Sequence, residues 1–219
     1  MKKLFVLTLA LFSIGISSAQ TELKATMGIN FISIPSVQDY INQCYQPIAE
    51  VGSFSSAVIF TVEAGQFLSS NFEMGLEIPY QIYSYNSNIG LGQYDLTYNS
   101  ILPSVMAYYA LVGDGYNFKI GGGVGPRFVS VKESKKWIGS EVDYSSTGFG
   151  IVVRAEGNTV LSENLYANIG VDIRYDVNGE PSASDGNTIT NNVLNENVNF
   201  DSFAVGVKLG ISYLFGVAD

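Results

Sequence analysis

The chain of 219 residues contains no histidine. That removes the commonest general base and metal ligand available to a protein. It has one cysteine, Cys44, so an internal disulfide is excluded and an inert thiol is the expected state. Charged residues make up only 14% of the chain, against roughly 25% in ordinary soluble domains. A protein with a fully water-facing exterior would carry more. Basic residues are few: 11 Lys and Arg against 20 Asp and Glu, a formal net charge of −9. An acidic chain repels phosphate backbones, so nucleic acid is not an expected partner. Beyond the first segment, no apolar run is long enough to cross a bilayer as a helix.

That first segment is Met1-Lys2-Lys3, an apolar stretch from Leu4 to Ile16, then Ser17-Ser18-Ala19-Gln20. A positive start, a short apolar core and small residues before a cut describe a secretory signal peptide. Cleavage is expected after Ala19, leaving 20–219 as one domain; losing Lys2 and Lys3 moves the net charge from −9 to −11. No cysteine stands at the cut, so a lipoprotein anchor is not supported.

The rest of the chain is dominated by alternation. From Phe203 to Phe215, Phe203, Val205, Val207, Leu209, Ile211, Tyr213 and Phe215 alternate with small or polar residues. A pleated strand sends successive side chains to opposite faces, so one face is apolar and the other is not. The pattern predicts strands near 23–34, 57–68, 72–84, 95–111, 117–131, 148–161, 165–175 and 201–215. Most of these exceed the usual soluble strand and match the roughly 9–11 residues that cross a bilayer obliquely.

The connections alternate in length. Ser69-Ser70-Asn71, Gly113-Asp114-Gly115 and Ser162-Glu163-Asn164 read as tight turns. Long polar segments near 35–56, 85–94, 132–147 and 176–200 read as loops. All tight turns fall at one end of the strands and all loops at the other, the asymmetry of outer-membrane barrels. In the fourth strand a two-residue Asp114-Gly115 turn puts Ile101, Val105, Ala107, Tyr109 and Leu111 outward, with Ser100 and Ser104 inward. A three-residue turn would reverse every one of them. Pro103 predicts a bulge or a broken ladder there.

The inward parity holds Lys24, Glu63, Glu73, Glu77, Lys119, Arg127, Arg154, Glu156, Asp172, Arg174 and Lys208. Six bases against five acids suggest mutual pairing, because unpaired buried charge is expensive. A turn centred on Glu163 would set Arg154 opposite Asp172. One centred on Ser70 would set Glu63 opposite Glu77, with Lys24 or an arginine expected between them. Such a carboxylate pair could also serve as a proton or cation site, but a salt-bridge network is the preferred reading. An eight-stranded interior is just filled by side chains, so no open pore is expected.

Other motifs carry less. Asp176, Glu180, Asp185, Glu196 and Asp201 give the last loop oxygen-rich chemistry, yet without EF-hand spacing, so a solvated flexible loop is preferred to a calcium site. Lys132-Glu133-Ser134-Lys135-Lys136-Trp137 suggests a contact with anionic lipopolysaccharide or an interfacial anchor, although a plain loop is the simpler reading. Gly121-Gly122-Gly123-Val124-Gly125 fits no phosphate-binding fingerprint, and tight lumen packing explains it better. Phe31, Phe72, Tyr80, Phe118, Phe149, Tyr175, Tyr213 and Phe215 are candidates for aromatic girdles.

The signal segment, the eight alternating strands and the short-turn, long-loop order resemble the small OmpA/OmpX-type barrels and the outer-membrane β-barrel domain family of Bacteroidota. Lys208-x-Gly210-x-x-Tyr213-x-Phe215 is similar to the signal by which assembly machinery recognises a final strand. Here four residues, Gly216-Val217-Ala218-Asp219, follow the last aromatic, which many such proteins lack. The resemblance implies an all-β, eight-stranded antiparallel up-and-down transmembrane barrel. It implies outer-membrane lipid, lipopolysaccharide and the assembly machinery as partners; from the residues themselves no cofactor, metal or catalytic residue is expected. Barrel phospholipases, lipid A deacylases and omptin proteases of the known types rely on histidine, so resemblance to them fails. Architecture does not fix a job. The expected function is a non-enzymatic barrel contributing to envelope structure or surface interaction. The alternatives are a narrow solute channel, or a secreted lipocalin-like barrel with the alternation turned inside out.

Overall fold

The structure, a computed structural model, describes residues 20–47, 50–90 and 92–216. The expected export segment 1–19 and the last three residues, 217–219, lie outside the described residues.

Eight antiparallel walls close into a ring. They are β1 (Thr21–Ser33), β2 (Ser55–Ser69), β3 (Phe72–Ile89), the pair β4 (Gly92–Ile101) and β5 (Ser104–Gly113) as one interrupted wall, β6 (Tyr116–Lys135), β7 (Ser140–Ser162), β8 (Leu165–Val177) and β12 (Ser202–Phe215). Short strands β9 (Ser182–Ala183), β10 (Thr190–Asn191) and β11 (Glu196–Asn197) shape the last loop. Each wall pairs with the next, and β12 returns to β1 from Thr21↔Phe215 to Ser33↔Phe203. Closure leaves no wall with an unpaired edge, which is what lets a sheet cross lipid.

The turns fix the register. Gly113 pairs with Tyr116, so Asp114-Gly115 is a two-residue turn, and Gly115 takes the left-handed φ of 76° it requires. Ile101, Val105, Tyr109 and Leu111 therefore face out while Ser100 and Ser104 are buried. At Leu102-Pro103 the ladder breaks without a slip: Tyr80↔Ile101 and Leu76↔Val105 keep the same register on either side.

The outward faces form an apolar belt, shown by Met27, Val62, Ile78, Val124, Ile151, Ile169 and Leu209, all exposed. All eight aromatic candidates for girdles point outward. Along β3 the belt ends after Ile82, and outward positions become Ser84, Asn86 and Asn88. Along β6 it ends after Phe128, with Ser130, Lys132 and Ser134 beyond. The strands do not stop there.

Two of the expected long loops are largely strand, over 85–89 and 92–94 and over 132–135 and 140–147. β3–β4 and β6–β7 run on above the belt as hairpins, ending at Ile89↔Gly92 and Lys135↔Ser140. Their inward positions turn apolar or aromatic, including Tyr83, Tyr94, Leu96, Val129 and Val131. Segment 35–56 also contains helix α1 (Pro35–Tyr45), started by a proline in its first turn and ended by Gln46 at φ 44°. Its Val37, Tyr40 and Ile41 pack onto those apolar hairpin residues and onto Ile189, Val198 and Phe200 of the last loop. The last loop is solvated along much of its length, with Glu180, Asp185 and Glu196 exposed, yet tied by local bonds: Asp201 accepts from the Asn178 and Gly179 amides, both at 2.9 Å, and Glu180 accepts from Asn197 at 2.8 Å.

Candidate functional site

Below the cap the interior is ionic. Lys24, Glu63, Glu73, Glu77, Lys119, Arg127, Arg154, Glu156, Asp172, Arg174 and Lys208 are all buried inside the ring. Glu63 and Glu77 stand opposite one another on β2 and β3. Arg154, from the far wall, donates to both: Nη1 to Glu63 Oε2 at 3.0 Å and Nη2 to Glu77 Oε2 at 2.6 Å. Lys24 Nζ lies 3.3 Å from Glu63 Oε1. Arg154 also faces Asp172 in the β7–β8 ladder and reaches it at 3.2 Å.

The pairs join into one cluster. Towards the turn end, Lys119 pairs with Glu22 and lies 2.6 Å from Glu73, and Lys24 reaches Glu156 at 2.5 Å. Towards the loop end, Arg174 reaches Glu77 at 3.0 Å and Asp172 at 3.3 Å, and Lys208 lies 2.6 Å from Asp172. Arg127 is bonded to Asp176 just above. Sequence reasoning missed Glu22 and Asp176, which bring the interior to seven acids against six bases. Both share the inward parity of their strands; Glu22 lay one residue before the expected strand start and Asp176 one residue past the expected end.

Glycine makes the room. Lys208 lies between Gly28 and Gly170, Asp172 faces Gly206, Arg154 faces Gly121, and Asp176 faces Gly150. A Cβ at Gly206 would strike Asn30 and Asp172, and one at Gly150 would strike Asp176 and Arg127. Long charged side chains thus lie across the bare backbone of their neighbours. In the glycine run of β6, a Cβ at Gly121 would meet the Tyr108 ring and one at Gly123 the Met106 sulfur.

Arg127 has a second task. Pro79 lies in β3 beside the broken wall, and Pro103 and Pro126 flank the break towards β6, so N–H donors are missing across three adjacent walls. Arg127 Nη1 donates to the carbonyls of Pro103 at 3.1 Å, Gly125 at 3.1 Å and Pro126 at 3.0 Å. The two N–H bonds of this buried Nη1 are shared among the carbonyls beside the break.

Both ends are stoppered. At the turn end, Phe67, Ala110, Leu214 and Tyr166 pack together, beside a relay of amides from Asn168 to Asn158 to Asn117. At the loop end the centre of the cap is Glu133, which accepts from Tyr40 at 2.6 Å, Tyr94 at 2.9 Å and Tyr45 at 3.4 Å. Its other oxygen takes Lys135 Nζ at 3.0 Å. Burial, and then the Glu133 charge, push the Tyr40, Tyr94 and Tyr45 hydroxyls above the usual tyrosine range.

In the basic segment beside Glu133, exposed Lys132 pairs with Glu141 at 2.7 Å and exposed Lys136 with Asp95 at 2.9 Å. Trp137 is no belt anchor; it packs edge-on against Tyr45 within the cap, ring centres 5.9 Å apart. Cys44 is half-buried and its thiol donates to Asn191 at 3.3 Å. Among the described residues no cluster of three or more acidic or cysteine side chains could hold a metal ion.

No protein-family model matches the chain, and no curated protein matches it. Solved structures do. A major outer membrane protein from Thermus thermophilus aligns at TM-score 0.57 and 14% identity, over 90% of this chain and all (100%) of that one. Neisserial surface protein A aligns at 0.53 and 12%, over 89% and 97%. Ail, the attachment invasion locus protein of Yersinia pestis, solved with a heparin analogue, aligns at 0.52 and 12%, over 90% and 99%. The fold is therefore that of the small eight-stranded outer-membrane barrels. At such identities the likeness concerns the fold alone.

Proposed function

We propose that this chain is an integral, non-enzymatic barrel of a bacterial outer membrane, of the Bacteroidota type. Residues 1–19 export it, its lumen is sealed, and its cap and loops serve envelope structure or contact at the cell surface. One observation carries the reading: the apolar side chains form the outer belt while the ionic side chains meet along the axis. A lipocalin-like carrier needs the reverse, and here Val205 and Leu209 are exposed while Arg154, Asp172 and Lys208 are buried. The turn end then faces the periplasm, where the tight connections belong, and the capped end faces outward. In this reading Lys208, Gly210, Tyr213 and Phe215 of β12 present the final-strand signal to the assembly machinery.

The sealed lumen distinguishes this from a narrow solute channel. Planar-bilayer recording of the purified chain should show no steady current. Large, stable conductance would replace the sealed barrel with a channel. Migration on gels should shift on boiling, as a closed barrel in detergent does; a protein soluble without detergent would end the membrane reading.

A further inference from the structure

A cavity of about 330 Å³ opens at the capped end, lined by Tyr45, Glu133, Lys135, Tyr144, Thr190 and Asn192 among others. We propose that it is a binding site for a neutral, hydroxyl-rich ligand, one or two saccharide units in size. The inference rests on the outward orientation proposed above and supplies the chemistry of the surface contact.

Charge decides the class. Glu133 and Lys135 are paired at 3.0 Å, so their charges cancel where a ligand would sit. A cationic ligand would find Glu133 already occupied: one oxygen accepts tyrosine hydroxyls and the other holds the lysine. An anionic ligand would meet that carboxylate, which lines the cavity beside Lys135. An apolar ligand would strand the polar groups of the wall. What is left is a set of donors and acceptors without net charge.

Those groups suit hydroxyls, which both donate and accept. Lys135 has three N–H bonds, and its carboxylate partner does not need them all. Thr190 and Asn192 are exposed and line the cavity. Tyr45 is fixed from behind by Tyr94, ring centres 4.4 Å apart, so the wall is built before any ligand arrives. A volume of about 330 Å³ sits at the small end of ligand clefts, which run from roughly 300 to 1,000 Å³.

The chain carries its own reporter. Trp137 is the only tryptophan and packs against Tyr45. The test titrates the full barrel, in a detergent without a sugar head group, with maltose, lactose and N-acetylglucosamine. Trp137 fluorescence and ligand-observed NMR saturation transfer are read together. At least one sugar should give saturable binding, weakened tenfold or more by Lys135→Met and by Asn192→Ala, with gel mobility still heat-modifiable. The site is overturned if none of the three sugars binds by either readout, or if both variants bind as the parent does. Saturable binding of spermidine or sulfate in place of sugar overturns the neutral class. Loss of heat-modifiable mobility in the parent would instead strike the membrane reading.

Discussion

Arg154 and Glu77, on walls that do not touch, meet across the lumen at 2.6 Å. The same guanidinium holds Glu63 and Asp172, so three carboxylates share one arginine, each with a further base beside it: Lys24 at Glu63, Arg174 at Glu77, and Arg174 and Lys208 at Asp172. Removing a partner from a buried ionic group costs about 3–5 kcal/mol, because the remaining charge stays desolvated. Arg154→Ala should lower unfolding stability by up to about that range, since Lys24, Arg174 and Lys208 remain beside the three carboxylates, as read by urea unfolding in detergent micelles. Arg154→Lys keeps the charge but loses the planar fork, and should fall between. An alanine variant as stable as the parent would show that the cluster is not what holds the walls together.

Arg127 gives a local prediction. Its guanidinium serves carbonyls beside the proline break and is itself held by Asp176. Arg127→Ala removes these shared donors and leaves the buried Asp176 carboxylate without its guanidinium, a penalty of about 1–3 kcal/mol for a buried group left unpaired. Amide exchange should accelerate in segments 101–104 and 125–128 and much less in β1 and β12. Uniform acceleration around the ring would mean that Arg127 supports the whole barrel and not the break.

The cap should fail at high pH. Burial holds the Tyr40, Tyr94 and Tyr45 hydroxyls above their ordinary value, so the folded cap keeps protons that the opened cap releases. Stability from this source is complete below about pH 10, the free tyrosine value, and declines as pH rises beyond it. Tyrosinate absorbance should therefore show a group that ionises late and together. At neutral pH, Tyr40→Phe removes a hydrogen bond to a charged group, about 1.5–3 kcal/mol. Maleimide labelling of Cys44 on α1 should then quicken by tenfold or more. Unchanged labelling would detach α1 from the Glu133 centre.

How much of this was legible in the chain depends on where a rule changed meaning. Strand number, tight turns and the parity of β8 and β12 are readable because one face is apolar throughout the belt. Above the belt the outward face becomes polar, as at Ser84, Asn86, Thr97 and Asn99, and the inward face aromatic. Alternation continues with its two faces exchanged, so the outer parts of these hairpins, 85–94 and 132–147, read as loops. Helix α1 announced itself only through Val37, Tyr40, Ile41 and Cys44 at helical spacing, within a segment that reads as polar overall. Glu133 was invisible as a centre because Tyr40 and Tyr94, 93 and 39 residues away along the chain, converge on it only in three dimensions.

The final strand allows assembly to be separated from stability. Phe215 faces outward and is 46% exposed, so truncating it takes little from the packed interior. Lys208 and Gly210 are also structural: Lys208 pairs with Asp172, and a Cβ at Gly210 would strike the Ala25 carbonyl. Phe215→Ala is thus the cleaner probe of the proposed signal. Its unfolding in detergent should match the parent within about 1 kcal/mol, in line with ordinary surface substitutions. Insertion into vesicles carrying the assembly machinery should slow several-fold, while spontaneous insertion without the machinery should not. Val207→Ala, also outward-facing on β12 but outside the motif, is the control. If it slows assisted insertion as much as Phe215→Ala does, the machinery is responding to the apolar face in general, and the motif carries no signal of its own.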